Sequence, residues 1–434
     1  MQINIIDAPC GYGKTEWAIQ YTKKNDNTKR FLFVTPYLSE VDRVSDALPN
    51  FSIPTANDGL SKSEHIKSLI ENGDSIATTH ELFKHFDGEI LSLIHKQEYI
   101  LVLDEVMNVI DSLQLGRDAL KMLVEKKKIT INPTTHLIEW IDDEEMLDIN
   151  PAFTNAQKLI KKKSVYEVNG VGLVWTLPVT YFKVFQSIYI LTYMFECQQQ
   201  AYYYKSNNLK INMYSVKPTE ETINNKFPMI EYELVKYSDR IKYAKGNIRD
   251  LINIYDGKLN TLGQTKHHNL NKDPIPRDGC LSSNWFEGAK DNQIEALSKG
   301  LVNYFTNVTK STNDDRLWTC KKGYKNDRKS LVNDLGDRIR KYSKFHIPLN
   351  LRGTNEYQDK FNIAYLTNIF MNPIEYHYFY TVHNVEVNED MWALSEMVQF
   401  IYRSRIREGE NINIWIPSIR MRELLKWWLS QDEI

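Results

Sequence analysis

Apolar positions in the first half of the chain fall in short runs, most of them unbroken, that end in polar residues. Ile3, Ile5 and Ile6, interrupted by Asn4, form the first, and Phe31, Leu32, Phe33 and Val34 the second, which stops at Thr35 and Pro36. Ile76 and Ala77 run into Thr78, Thr79 and His80, and Ile100, Leu101, Val102 and Leu103 run into Asp104 and Glu105. Another run covers 187–195, with Thr192 near its end. Strands covered on both faces of a parallel sheet read in this way. Between them, residues 16–21, 39–48 and 81–86 have helical character. The alternation predicts an α/β fold whose mainly parallel sheet is flanked by helices.

The second half repeats the theme less regularly. Strands are expected at 210–216, 231–235, 316–319 and 345–349, and helices at 239–255 and 292–307. A segment rich in Gly, Asn, His and Pro, about 257–280, reads as a long loop. With 434 residues there is room for two domains of ordinary size. The expected division is 1–205 and 206–434, with an irregular insertion at about 111–180.

The first strand leads into Ala8, Pro9, Cys10, Gly11, Tyr12, Gly13, Lys14 and Thr15, and a helix follows. Strand, glycine loop and helix in that order suit a phosphate-binding loop. Gly11 and Gly13 let backbone N–H groups turn onto a polyphosphate at the positive end of the helix. Lys14 then reaches the β- and γ-phosphates, Thr15 ligates Mg²⁺, and Tyr12 and Glu16 complete the ATP-binding segment. Ala8 stands where the strict pattern has its first glycine, so a chance surface turn is the competing reading of this segment alone. The strand ending at Asp104 and Glu105 adds a second element. Ligands gather beyond the carboxyl ends of parallel strands, so Asp104 is placed to hold Mg²⁺ and Glu105 to act as general base.

Composition narrows the classes. The formal charge of −2 gives no global basic field, so nucleic-acid binding must come from local patches. The lysine triplets 126–128 and 161–163 and the acidic Asp142, Asp143, Glu144 and Glu145 read as solvated faces, a lysine run on a phosphate backbone being the alternative. Cys10, Cys197, Cys280 and Cys320 are scattered, which suits neither a zinc site nor a disulfide framework and fits a reducing cytosol. His267 and His268 read as loop surface. No apolar run approaches the ~20 residues of a membrane span, and no signal segment precedes the first strand, so a soluble, cytoplasmic protein is expected.

Near the C-terminus, Gln399, Arg403 and Arg407 are spaced by four and, on a continuous helix, share one face, with Arg405 on another. Two arginines so placed can neutralise charge on a transferring γ-phosphoryl.

Taken together, these motifs resemble the helicase superfamily 2 core, whose two RecA-like domains hold ATP between them. The resemblance matches Gly11 to Thr15 to motif I, Thr35 and Pro36 to motif Ia, and Thr78, Thr79 and His80 to motif Ib. Asp104 and Glu105 match motif II, Thr192 motif III, and Gln399 and Arg403 motif VI. The string from Asp104 to Asn108 is similar to motif II of herpesvirus-type origin-binding helicases. The segments 351–357 and 393–407 resemble helicase-like proteins of phages that infect low-GC bacteria. Motif III lacks its Ser-Ala pair, Tyr402 replaces the motif VI glycine, and Arg407 lies one step beyond the family's last arginine.

The resemblance implies an ATP- and Mg²⁺-dependent DNA helicase or translocase of phage replication or recombination. Catalysis falls to Lys14, Asp104, Glu105, Gln399, Arg403 and Arg407. A single or forked DNA strand, or RNA, is gripped through Thr35, Pro36, Thr78, Thr79, His80, Arg352 and Asn355, aided by Lys321, Lys322, Lys325 and Arg328. Phage replication proteins are the implied partners, and a bacterial host's cytoplasm the implied compartment. Trp285 and Tyr202, Tyr203 and Tyr204 are expected in the core more readily than stacked on bases. The competing classes are an ATP-driven remodeller of a protein partner and a nucleic-acid-binding module with a degenerate ATPase.

Overall fold

The computed structural model describes residues 1–56, 59, 61–113, 115, 117–141, 151–170, 172–219, 230–239, 248–263, 278–312, 314–321, 345–349 and 356–431. The chain divides into two compact units. Met1–Ala8, Tyr12–Arg240 and Met371–Asn388 form the first, and Pro9–Gly11, Ile241–Phe370 and Glu389–Ile434 the second. Both are mixed α/β with parallel-rich sheets flanked by helices, as the apolar runs predict.

In chain order the elements begin with β1 (Gln2–Asp7), α1 (Lys14–Asn25), β2 (Phe31–Thr35), α2 (Leu38–Ala47), α3 (Lys62–Asn72), β3 (Ile76–Thr79), α4 (His80–Lys84), α5 (Gly88–Lys96) and β4 (Ile100–Asp104). There follow β5 (Ile110–Leu113), α6 (Arg117–Glu125), β6 (Ile129–Ile131), β7 (Ile138–Trp140), α7 (Pro151–Lys161), β8 (Val165–Val168), β9 (Gly172–Thr176) and α8 (Thr180–Lys183). Next come β10 (Ser187–Thr192), α9 (Gln199–Ser206), β11 (Ile211–Pro218), β12 (Tyr232–Lys236), α10 (Ile248–Leu251), β13 (Ile252–Ile254), α11 (Ser283–Gly288) and α12 (Asp291–Asn303). The last are β14 (Arg316–Cys320), β15 (Asn362–Leu366), α13 (Pro373–His377), α14 (Glu389–Ile401), β16 (Ile412–Trp415) and α15 (Ile419–Ser430).

The first unit is built on a seven-stranded sheet of order β12-β11-β1-β10-β4-β2-β3, parallel throughout except for β12. Asp7 pairs with Thr192 and Leu191 with Asp104, so β1, β10 and β4 end within one residue of one another at one edge. Phe31, Phe33, Val102 and Leu191 pack under Trp17 and Ala18 of α1 and Val41 and Val44 of α2. Each such side chain stabilises the fold by about 1.5–3 kcal/mol when fully buried.

The sheet reaches past residue 206. β11 pairs with β1 from Ile3 opposite Ile211 to Ile6 opposite Tyr214, and β12 adds an antiparallel edge. Tyr202, Tyr203 and Tyr204 lie buried on α9, while Trp285 packs against the second unit's core.

The insertion folds as an antiparallel sheet β5-β9-β8 and a hairpin β6-β7. It has its own core, with Leu123, Ile129, Ile138, Ala156, Ile160, Val165 and Leu173 buried. Lys126, Lys127, Lys161, Lys162 and Lys163 are exposed on it, whereas 142–150, with the acidic run, lie outside the described residues. Residues 371–388 return to pack on this insertion. Asn372 Nδ2 donates to Ser112 Oγ at 3.0 Å, Gln199 donates to the buried Glu375 carboxylate, and the Tyr378 ring meets Tyr166 at 5.3 Å.

The second unit has a four-stranded parallel sheet, β13-β16-β15-β14, over a core containing Leu301, Phe305, Trp318, Ala364 and Trp415. Buried Arg420 of α15 ties it together, with Nη2 2.7 Å from Asp390 Oδ1 and Nη1 2.7 Å from the Ile369 carbonyl.

Two expected elements are corrected here. The helix of 239–255 is confined, among the described residues, to α10, because 252–254 pair in parallel with β16 as β13. The strand of 345–349 is reduced to one bridge between His346 and Trp318. Of the loop at 257–280, residues 258–263 form a 3₁₀ turn, and 264–277, including His267 and His268, lie outside the described residues.

Burial pushes the Glu375 carboxyl up to about 7, nearby Asp111 adds to the rise, and the Gln199 amide and Ser112 N–H oppose it. The folded state therefore holds this proton more tightly than the unfolded chain. Its stabilising effect is complete below the ordinary value of 4.5 and is lost as pH rises to about 7. Denaturation curves from pH 4 to 8 should show this loss as roughly 3 kcal/mol, and Glu375→Gln should flatten that part of the profile relative to wild type.

Candidate active site

β1 ends at Asp7, and residues 8–13 form a loop before α1 starts at Lys14. Gly11 and Gly13 both hold left-handed backbone, at φ 84° and 85°, which β-carbon-bearing residues rarely adopt. A methyl at Gly13 would also collide with the Tyr232 ring. Gly13 caps α1 without a side-chain acceptor, so the first-turn N–H groups face the loop and suit an anion.

Lys14 is buried, and its Nζ donates to the Ala8 carbonyl at 2.6 Å, holding the ammonium inside the loop. Thr15 Oγ1 lies 3.3 Å from each carboxylate oxygen of Asp104. A hydroxyl and a carboxylate are hard oxygen donors, and with phosphate oxygens and water they fit Mg²⁺. No group of three or more His, Cys, Asp or Glu among the described residues forms a separate metal cluster.

Asp104 is buried at the tip of β4. Burial pushes its carboxyl up to about 7, Glu105 adds to the rise, and Arg43 and Lys14 oppose it. Its main-chain oxygen is 3.0 Å from His80 Nε2. Glu105 takes left-handed backbone at φ 62°, which costs about 1–3 kcal/mol in a residue with a side chain. Its N–H donates to the Leu191 carbonyl at 2.9 Å, locking the turn to β10, and its Oε2 is buried with no hydrogen-bond partner. The Met107 N–H, just beyond, donates to Gln200 Oε1 at 2.9 Å, and Gln200 in turn donates to the Tyr204 hydroxyl.

Asp7, which belongs to no motif, stands at the same edge. Its two oxygens accept the N–H groups of Met194 at 3.0 Å and Phe195 at 2.8 Å, tying the start of the glycine loop to the turn after Thr192. Burial pushes its carboxyl up to about 6, against the pull of those amides and Lys14. Thr192 is buried beside it, its carbonyl accepting from Ala8 N–H and its hydroxyl from Gln198. Exposed Glu16 pairs with Arg43 at 3.5 Å, and Arg43 also holds Glu40 at 2.8 Å. The sequence signal for Asp7 is a carboxylate ending an apolar strand directly before the glycine loop.

Two of the three expected strand-gripping hydroxyls have protein partners. Thr35 is buried and donates to the Tyr37 carbonyl, Thr78 is buried, and Thr79 caps α4 by accepting from Leu82 N–H. Pro36 and His80 are half-buried. Arg352, Asn355, Lys322, Lys325 and Arg328 lie outside the described residues, and Lys321 is half-buried.

In the second unit, the single helical face expected for Gln399, Arg403 and Arg407 is corrected. α14 ends at Ile401 because Ser404 donates its hydroxyl to the Ile401 carbonyl and turns to extended backbone, after which Arg405–Glu408 form a 3₁₀ turn. Gln399 is buried on α14, its Nε2 without a hydrogen-bond partner. Arg403 is buried and reaches the carbonyls of Pro348 and Leu349 at 3.4 and 3.1 Å. Arg405 donates to the Asn411 carbonyl at 2.9 Å and lies 4.0 Å from the Phe361 ring centroid. Arg407 is half-buried.

Residues 246–429 match the family model described as the YonV C-terminal Rossmann-like domain. The chain is 33% identical to the SPbeta prophage-derived protein YonV of Bacillus subtilis (strain 168), over 99% of each chain. Among solved structures it is similar to one described as XPD_Helicase, at 13% identity and TM-score 0.47, covering 99% of this chain and 95% of that one. It is also similar to S. tokodaii Xpd4, at 12% identity and TM-score 0.40, covering 100% and 95%. A third is the DUF1998 helicase MrfA bound to DNA, at 8% identity and TM-score 0.34, covering 100% of this chain and 47% of that one.

Asp7→Ala would leave two amide donors buried without their acceptor, and should lower unfolding free energy by about 2–5 kcal/mol in urea titrations. Asp7→Asn keeps one acceptor oxygen and should lose less; equal losses would show that the paired amides do not decide the effect.

Proposed function

The chain belongs to the YonV family, and we propose that it is an ATP-dependent helicase or translocase acting on nucleic acid, DNA foremost. The observation that carries this reading is the 3.3 Å approach of Thr15 Oγ1 to both oxygens of Asp104, with Lys14 on the same glycine loop. A loop of positive-φ glycines, an ammonium, a hydroxyl and a carboxylate at one sheet edge form the donor set of a magnesium–triphosphate site.

In this reading the loop amides and Lys14 orient the β- and γ-phosphates. Thr15 and Asp104 would hold Mg²⁺, which would draw charge from those phosphates. Glu105 accepts a proton from the water that attacks the γ-phosphorus as the bond to the ADP oxygen breaks, giving ADP and phosphate. Its unpartnered Oε2 supports that role, since a base held ready by a strained turn keeps one oxygen for water. Gln399, Arg403 and Arg407 are assigned to the γ-phosphoryl, and the unpaired amide of Gln399 supports a ligand-facing role for that residue. Arg403 has to give up its hold on Pro348 and Leu349 to act there.

DNA as track, and service in phage replication or recombination with phage partners in the host cytoplasm, are the finer parts of the proposal. The prophage origin of the relative supports the phage setting. No described helix is long and apolar enough to cross a membrane. A second reading, an ATP-driven remodeller that does not unwind, draws support from the hydroxyls of Thr35 and Thr79, which are engaged with protein groups.

Steady-state ATP hydrolysis with and without single-stranded DNA, single-stranded RNA and duplex DNA, at low salt, separates the readings. Stimulation by one polymer supports the motor and names its track; a robust basal rate with no stimulation favours the remodeller. Lys14→Ala should abolish most turnover while leaving the fold intact by circular dichroism. Glu105→Gln should retain ATP binding and slow hydrolysis by about 100-fold or more. Loss of ATP affinity in Glu105→Gln would count against its role as base. Arg405→Ala should reduce stability more than turnover, because its guanidinium is held by Asn411 and Phe361.

A further inference from the structure

β11 and β12 extend beyond what sheet formation requires. β11 last pairs with β1 at Tyr214, opposite Ile6, yet continues to Pro218, opposite Tyr232 of β12. At 3.4 Å per residue that ribbon rises roughly 10 Å past the end of β1 at Asp7, on the flank away from β10 and β4. It is fastened to α1 by Gln20, which accepts from Tyr232 N–H at 3.0 Å and donates to the Ile230 carbonyl at 2.8 Å. The half-buried Tyr232 ring is thereby laid against Gly13, its Cδ1, Cε1 and Cζ filling the space a β-carbon would take.

This position has a consequence for any nucleotide in the loop, and the inference rests on the ATP reading above. On that reading Asp104 and Glu105, at the end of β4, put the γ-phosphoryl on the β10–β4 side of β1. The ribose and base of the same molecule then leave the loop toward the opposite flank, where β11 and β12 stand. We propose that Tyr232 is the platform on which the nucleobase rests, its ring stacking on the base while its edge keeps contact with Gly13. An aromatic ring reads the π-face that every base presents, so this subsite grips the base with little discrimination between adenine and guanine.

The test compares binding of MgATP with that of magnesium tripolyphosphate, which has no base, in the full-length protein. Tyr232→Leu keeps apolar bulk against Gly13 and removes the aromatic face. It should weaken MgATP about 10-fold and leave tripolyphosphate within about twofold. Tyr232→Phe should bind both as wild type does. If Tyr232→Leu weakens both ligands equally, the ring is a brace for the loop and the platform is overturned. If it changes neither, the base rests elsewhere and the platform is again overturned. A wild-type protein that binds neither ligand overturns the ATP reading itself, which separates that failure from failure of the platform. Melting curves of the two variants show whether any loss reflects unfolding.

Discussion

Two carboxylates buried at one sheet edge set the terms for the first unit. The parallel register brings Asp7 and Thr192 level and Asp104 within one residue of them across three neighbouring strands, so any charge there is withdrawn from water together. Removing a carboxylate from water is strongly unfavourable unless hydrogen bonds or cations replace its hydration. Asp7 receives two backbone amides, and its carboxyl rises only to about 6. Asp104 receives the weaker Thr15 hydroxyl, with Glu105 beside it, and rises to about 7. The first is a structural tie between two loops. The second keeps its charge uncompensated by backbone amides, which is the property the proposed magnesium site would use.

The local parts of this arrangement were legible in the sequence because they depend on short-range rules. Apolar runs marked β1, β2, β4 and β10, and the glycine spacing marked the turn into α1. What escaped depends on contacts far apart in the chain. Nothing local tells that β11 and β12 join the sheet of β1, since their residues would suit the edge of either unit. Nor does any periodicity show that 371–388 packs on the insertion, where Glu375 meets Gln199. The arginine register failed for a different reason. Spacing by four predicts a common face only while the helix lasts, and the Ser404 hydroxyl competes for the carbonyl of Ile401.

That helix end changes how the second unit's arginines are read. On a continuous helix they would be equivalent apart from direction. In the structure they have different partners: Arg403 holds carbonyls of 348–349, and Arg405 donates to the Asn411 carbonyl and lies on Phe361. A guanidinium donates in a rigid planar fork, so an arginine already donating to carbonyls can turn to a phosphoryl group only by exchanging one set of acceptors for another. Gln399 is the contrary case, with a buried amide nitrogen that makes no hydrogen bond. An unmade buried hydrogen bond costs about 1–3 kcal/mol, a cost that the proposed role of Gln399 toward a phosphoryl oxygen would offset.

The insertion follows the same logic of position. β4 and β10 are adjacent parallel strands, and a crossover between them needs only about a dozen residues. Here the chain uses residues 105–186 and builds a second hydrophobic core on the way. Because it leaves β4 immediately after Glu105, the first turn of the insertion is also the turn that sets the strained backbone of that residue. The two anchors on this turn, Glu105 N–H on the Leu191 carbonyl and Met107 N–H on Gln200, bracket the departure point. Displacement of the insertion relative to the sheet would therefore act first on Glu105, the residue whose geometry the proposed chemistry depends on most.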